Sequence, residues 1–266
     1  MNTLKKLHRP VQRTSGKAPE RKTPTGAEGP GSSTTVAEVV SMRGKRARLL
    51  TLPEQIAEHL ARDIVRQALA PGQRLKEMEL SEQFGASRAP IREALRLLEL
   101  RGLVQIEARR GVHVTKLSAA EIDNLYEIRA ALLALAARRV ATHPDPQFLV
   151  LAKAHLDRMR QHLADASADR YFESTYQLSN LIAEAADNPR LSALISSFSQ
   201  QVARYTRLSL ESTARRRHSL ANWQRLIVAI EARRADVAED VQRQLVFGSR
   251  DQVRKIVEQA SRRGSA

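Results

Sequence analysis

Two apolar helical stripes separated by only three residues, Gly85-Ala86-Ser87, constrain this 266-residue chain more than any other feature. Glu77–Phe84 reads as a short helix, with Gly85 as its C-terminal signal. Ser87 then caps a second helix running from about Arg88 to Arg101, with Ile91, Leu95 and Leu98 inward until Gly102 stops it. Two helices joined by so tight a turn have the arrangement of a helix-turn-helix. Two short strands are expected next, Leu103–Glu107 and Gly111–Thr115, flanking a basic tip at Ala108-Arg109-Arg110-Gly111. Upstream, Thr51-Leu-Pro-Glu54 has the form of a capping box with proline in the first turn. The apolar stripe Ile56, Leu60, Ile64, Val65, Leu69 follows it, Pro71-Gly72 ends that helix, and a short Arg74-Leu75 segment leads onward.

The charges on this frame suit a polyanion. Arg88 and Arg92 lie four apart and share a face at the start of the second helix, where they can reach phosphates or the N7 and O6 acceptors of guanine. Ser87 and the unpaired N–H groups of that first turn favour the same anion, because the helix dipole and free donors coincide there. Arg109, Arg110 and Gly111 at the hairpin tip form a wing suited to the minor groove or backbone. A formal charge of +15, from 44 Lys and Arg against 29 Asp and Glu, agrees with a nucleic-acid partner.

Beyond the hairpin the chain reads as helix throughout. Aromatics are only 4% of residues while Ala, Leu, Arg and Glu abound, a mixture that favours amphipathic helices over a large sheet. Ser118-Ala-Ala-Glu121 is a second capping box and opens a long helix toward Ala141, broken by His143-Pro144-Asp145-Pro146. Further helices are expected near 146–166, 169–186, 190–209, 219–233 and 235–261. The predicted fold is mainly α: an N-terminal winged helix-turn-helix with a small β-hairpin wing over 49–116, then an all-α helical bundle over 117–261 with an interior wide enough for a pocket.

Residues 1–48 hold basic clusters (Lys5, Lys6, Arg9, Arg13, Lys17, Arg21, Lys22, then Arg43, Lys45, Arg46, Arg48) around a Gly/Pro/Ser/Thr-rich stretch. With almost no large apolar residue, such a segment is expected to be a disordered basic tail, solvated or laid along DNA backbone. The chain has no cysteine, which excludes disulfides and thiolate chemistry. No apolar run reaches the roughly 18 residues of a membrane span, so a cytoplasmic, nucleoid-associated protein without membrane contact is expected.

The segment Leu80-Ser-Glu-Gln-Phe-Gly-Ala-Ser-Arg-Ala-Pro-Ile-Arg-Glu-Ala-Leu-Arg-Leu-Leu-Glu-Leu-Arg-Gly-Leu-Val104, with Gly72 before it and Arg110-Gly111-Val-His-Val114 after it, resembles the GntR-family winged helix over about 65 residues. The resemblance implies a homodimer on short palindromic operators, with Ser87, Arg88, Ala89 and Arg92 at the DNA and Arg109, Arg110 and Gly111 in the wing. Many relatives carry a charged residue just before the first-helix Leu-Ser-Glu. Here Met78 and Glu79 precede it.

Leu125-Tyr-Glu-Ile-Arg-Ala-Ala-Leu132, Leu178-Ser-Asn-Leu-Ile-Ala-Glu-Ala-Ala-Asp-Asn-Pro-Arg-Leu191 and Ala229-Ile230 followed by Ala238 resemble the FadR-type (FCD) effector domain of that family. Many such domains resemble one another in holding a divalent metal with one Asp and three His. The resemblance sets those four positions at Thr175, Ser179, Trp223 and Leu245, none of which is a usual transition-metal ligand. His155 and His162 are seven residues, roughly 10 Å, apart on a helix, and His218 stands alone among arginines. No metal or other cofactor is therefore expected. The pocket is expected to be closed or rebuilt, with Arg129, Tyr176, Ser179 and Asn180 as its polar groups for an organic acid, or Trp223 and Leu245 lining it for a more apolar effector.

No GxSxG, P-loop, HExxH or paired-carboxylate pattern is present, so no catalysis is expected. Two rival readings use the same residues: an architectural protein binding DNA through charge alone, and an adaptor docking a partner through Arg215-Arg216-Arg217 and the basic last helix.

Overall fold

The computed structural model describes residues 49–264; the expected basic tail at 1–48 lies outside them. Helix α1 (Leu52–Val65) opens on the Thr51/Glu54 capping box, with the Thr51 backbone N–H donating to the Glu54 carboxylate at 2.8 Å. Strand β1 (Arg74–Leu75), helix α2 (Glu77–Phe84) and helix α3 (Arg88–Leu100) follow. Gly85 ends α2 in the left-handed region (φ 58°), where a Cβ would be strained, and so sets the tight turn before α3.

Strands β2 (Val104–Glu107) and β3 (Gly111–Val114) pair antiparallel, and β1 adds to the other side of β3 through Arg74↔His113 and Leu75↔Val112. The expected hairpin is thus the larger part of a three-stranded sheet ordered β1-β3-β2. Ile56, Leu60, Ile64, Leu75, Leu80, Ile91, Leu95, Leu98, Val104, Val112 and Val114 form one core between these elements. Each such side chain contributes about 1.5–3 kcal/mol on burial.

Helix α1 stops earlier than the stripe through Leu69 suggests. Arg66 caps it, Gln67 turns left-handed (φ 65°), and Leu69 packs on the core from the turn rather than from the helix. Apolar periodicity cannot distinguish the two, since both bury Leu69 on the same side.

Six helices complete the described residues: α4 (Ala119–Thr142), α5 (Pro146–Ala164), α6 (Ala168–Ala185), α7 (Pro189–Ser209), α8 (Thr213–Glu231) and α9 (Ala235–Gly264). No strand occurs in this part of the described residues. The second core joins all six, with Tyr126, Leu133, Met159, Leu178, Ile195, Val202, Leu226, Ile230 and Val253 among its most buried members.

Helix α8 begins six residues before the expected 219, because Arg216 is only 2% exposed and staples the α7–α8 turn. Its guanidinium donates to the Leu210 and Glu211 carbonyls at 2.7 Å each and to the Thr213 hydroxyl at 3.0 Å. Arg215 is half-buried and only Arg217 of the triplet is exposed, so Arg215-Arg216-Arg217 does not stand out as the basic docking stretch an adaptor would need.

The link between the two cores is anchored by α7. The Leu117 N–H donates to the Tyr205 hydroxyl at 2.9 Å, and the Arg204 guanidinium stacks on that ring and donates to the Thr115 carbonyl at 3.4 Å. One turn earlier Gln201 closes over Gly102, where an added Cβ would come within 2.8 Å of the glutamine side chain.

Candidate nucleic-acid interface and interior cavity

Ser87, Arg88 and Ala89 are exposed at the N-terminal turn of α3. Ser87 makes no side-chain capping bond, so its hydroxyl is not committed to its own helix. Arg92 lies one turn on and is held by Glu77, whose carboxylate accepts from its Nε at 2.8 Å. Arg96, a further turn along, is also exposed and extends the arginine row at i, i+4, i+8. That spacing was legible in the chain and would have found it.

At the wing, Arg109 sits left-handed (φ 68°) and Arg110 is 79% exposed, with a 3.3 Å contact to Glu107. Gly111 is also positive in φ, and the Arg74 guanidinium lies where its Cβ would point, at 3.4 Å. Pairing of β1 with β3 therefore carries Arg74 to the wing tip. Arg74, Arg109, Arg110, His113 and Lys116 border one shallow, open surface, and Arg74, Lys76 and Arg88 border the next. Arg74 and Lys76 join the basic face only through a strand pairing between residues far apart in sequence.

Inside the helical bundle a cavity of about 50 Å³ is walled by α4, α6, α7, α8 and α9. It brings together Arg129, Thr175, Tyr176, Ser179, Trp223 and Leu245. Asn180 stands outside: one residue past Ser179 it has turned about 100° around α6, and its side chain reaches Tyr176 from behind. Burial raises the Tyr176 phenol, and the Asn180 hydrogen bond offsets part of that rise.

Sequence reading missed Ser199, Thr206, Arg215, Ser219, Gln242 and Ser249, which complete the polar lining. Arg129 is 8% exposed, and its Nε donates to the Ser199 hydroxyl at 3.1 Å. Burial pulls the Arg129 and Arg215 guanidinium pKa values below the ordinary arginine range, opposed by nearby tyrosines. Phe172, Tyr176 and Ala203 form a shared wall. Their other side borders a cleft of about 520 Å³ that also contains Glu58, Arg62 and Arg101 of the N-terminal unit.

The four positions that the metal-binding pattern assigns therefore do meet in one place, with the wrong chemistry. Thr175 donates its hydroxyl to the Phe172 carbonyl at 2.7 Å, Trp223 offers only an N–H, and Leu245 has no polar side-chain atom. That donor set does not suit a divalent transition metal. Among the described residues no group of three or more His, Asp or Glu is placed to hold one. His218 instead meets the Asn222 amide at 3.1 Å, and His155 meets Arg158 at 2.9 Å.

A three-stranded winged helix with an open arginine face, joined to a bundle with an interior cavity, defines the class: a DNA-binding transcription regulator with an appended helical domain. Residues 52–114 match the model for bacterial regulatory proteins of the gntR family, and residues 124–246 match the FCD domain. The chain is 30% identical to the HTH-type transcriptional repressor RspR of Escherichia coli (strain K12) over 208 residues, covering 78% of this chain and 91% of that one. It is 35% identical to the HTH-type transcriptional regulator YdhC of Bacillus subtilis (strain 168) over 43% of this chain and 51% of that one. The fold is shared with E. coli McbR/YncC (TM-score 0.68, 21% identity, covering 80% of this chain and 100% of that one). It is also shared with a GntR regulator from Rhodococcus sp. RHA1 (TM-score 0.65, 20% identity, covering 76% and 96%). The protein belongs to the GntR family of transcriptional regulators and carries an FCD domain. None of its described helices is long and apolar enough to cross a membrane.

Proposed function

We propose that the protein is a homodimeric repressor whose two α3 helices enter successive major grooves of a short palindromic operator, and whose DNA affinity is set by a small molecule in the bundle cavity. The observation that carries the DNA half is the exposed row Ser87, Arg88, Arg92 at the N-terminal end of α3, beside a wing bearing Arg109 and Arg110. Arg88 and Arg92 read base edges or phosphates, Ser87 takes a phosphate, and Ala89 packs on a thymine methyl. Arg109, Arg110 and the backbone at Gly111 touch the flanking groove. The resemblance to RspR, a named repressor, supports the sign.

Dimerisation is supported by α4, where half-buried Leu125 and Leu132 alternate with Ile128 and Leu135, each 44% exposed. Leu194 of α7 is 49% exposed. A row at 3-4-3 spacing is an apolar stripe suited to a second helix. The effector half is supported by an interior cavity in which apolar walls and many polar side chains meet, with Tyr176 on the wall it shares with the cleft toward the N-terminal unit. The lost ligand set supports a cavity that works without metal or other cofactor.

Binding-site selection on random duplex DNA, followed by titration at several salt concentrations, tests the reading. The expected result is a palindrome bound about a thousandfold or more over random DNA. Enrichment of no sequence, with affinity that simply tracks salt, would establish charge-driven architectural binding instead.

A further inference from the structure

We propose that Met78 is a specificity-determining residue that reads the 5-methyl group of a thymine, so that the regulator distinguishes thymine from uracil at one position of each operator half-site. The proposal rests on the reading of α3 as the helix that enters the major groove, and it adds an apolar contact from α2.

Placement is the first ground. Met78 sits in the first turn of α2, two residues before Leu80 and so about 200° around the helix from it. Leu80 is 5% exposed and turned into the core, whereas Met78 is 59% exposed and belongs to neither hydrophobic core. Met78 borders one open hollow of about 380 Å³ together with Arg88 of α3, Arg74 and Lys76 at β1, and Gly111 of the wing. Of the exposed large apolar side chains among the described residues, Met78 is the one that borders this hollow.

Charge is the second ground. The acids on either side of Met78 are already engaged: Glu77 accepts from Arg92 Nε at 2.8 Å, and Glu79 accepts from Lys76 Nζ at 2.6 Å. Arg74, Lys76 and Arg88 therefore give the hollow a cationic rim with a thioether in it. That rim is complementary to a polyanion, and its phosphate contacts would fix the register in which the methionine meets a base.

The chemistry of the groove is the third. A thioether has no donor and is a weak acceptor, so a phosphate or a polar base edge offers it little. The major groove presents one apolar group, the C5-methyl of thymine. An unbranched, flexible methionine can shape itself to that methyl. Where many relatives carry a charge just before the Leu-Ser-Glu of this helix, Met78 exchanges hydrogen-bonding readout for methyl readout. Ala89 stands on α3, so the thymine it would meet is a different one.

The test uses the full chain and the operator obtained by binding-site selection, with each thymine replaced in turn by deoxyuridine. That change removes the methyl group and leaves every hydrogen-bonding atom in place. At one thymine of each half-site it should weaken binding about fourfold, the effect of leaving one methyl group unburied. With both half-sites changed, the loss should be about sixteenfold. Met78→Gln, of similar length but polar, should abolish this penalty without moving the melting temperature, while Met78→Leu should keep it. Selection repeated with Met78→Arg should shift the preferred base at that position from thymine toward guanine.

A specific operator whose affinity ignores every deoxyuridine, or whose penalties all persist in Met78→Gln, overturns the methyl contact and leaves α3 standing as the reading helix. Enrichment of no sequence, or an operator that Arg88→Ala combined with Arg92→Ala does not weaken, overturns the reading of α3 itself, and the methyl contact falls with it.

Discussion

The two halves of the molecule use arginine in opposite ways. In the N-terminal unit Arg88, Arg92, Arg109 and Arg110 are exposed on a small core, Arg92 and Arg110 in surface ion pairs with Glu77 and Glu107. In the bundle Arg129, Arg204 and Arg216 are each less than a tenth exposed, and Arg215 is half-buried. There the charge is part of the architecture. The same side chain thus projects as exposed charge in one place and serves as a structural staple in the other.

The largest effect should come from the exposed set. Replacing both Arg88 and Arg92 with Ala should weaken operator binding at least about thirtyfold, at about 1–3 kcal/mol per base contact. Thermal unfolding should be unchanged. Retained sequence-specific affinity in a gel-shift titration would remove α3 as the reading helix.

Arg216→Ala should do the reverse. Three hydrogen bonds at the α7–α8 turn are lost, which costs about 3 kcal/mol and lowers the melting temperature by about 6–12 °C. A calorimetric scan showing no change would place that arginine with the surface charges after all. Tyr205→Phe should be milder, about 1–2 kcal/mol, because it leaves the buried Leu117 N–H without its acceptor.

The smallest effect sharpens the contrast through pH. Burial first, and Arg158 second, push His155 down to about 4, so the folded protein keeps this ring neutral while the unfolded chain protonates near 6.5. The stability that depends on the neutral ring is complete above pH 6.5 and is lost as pH falls toward 4. Melting curves across that window should fall less steeply for His155→Gln. An identical slope would show that the histidine contributes nothing to acid sensitivity.

Much of the reading head was legible because its signals are local. Two capping boxes, the Gly85 turn and the alternation at 103–115 each specify a conformation within a few residues, and helices α4 to α7 fall within two residues of expectation. The interior cavity was partly legible, since six of seven expected residues line it. Asn180 failed because a single helical step separates lining from backing. Arg215 and Arg216 were invisible for a different reason: a run of three arginines reads as surface, and only the packing of the helices buries Arg216 and half-buries Arg215. Arg74 likewise reaches the wing only through a strand pairing that composition cannot reveal.

Helix α7 reaches the bundle core, the interdomain link and the end of α3. Ser199 engages Arg129, Gln201 covers Gly102, Tyr205 and Arg204 hold the interdomain link, and Thr206 bonds Tyr126 at 2.8 Å. All five lie within two turns of one helix, which therefore serves as a common axle for both cores. Genetics would notice: substitutions along α7 should disturb both cores together, and few there should alter one alone.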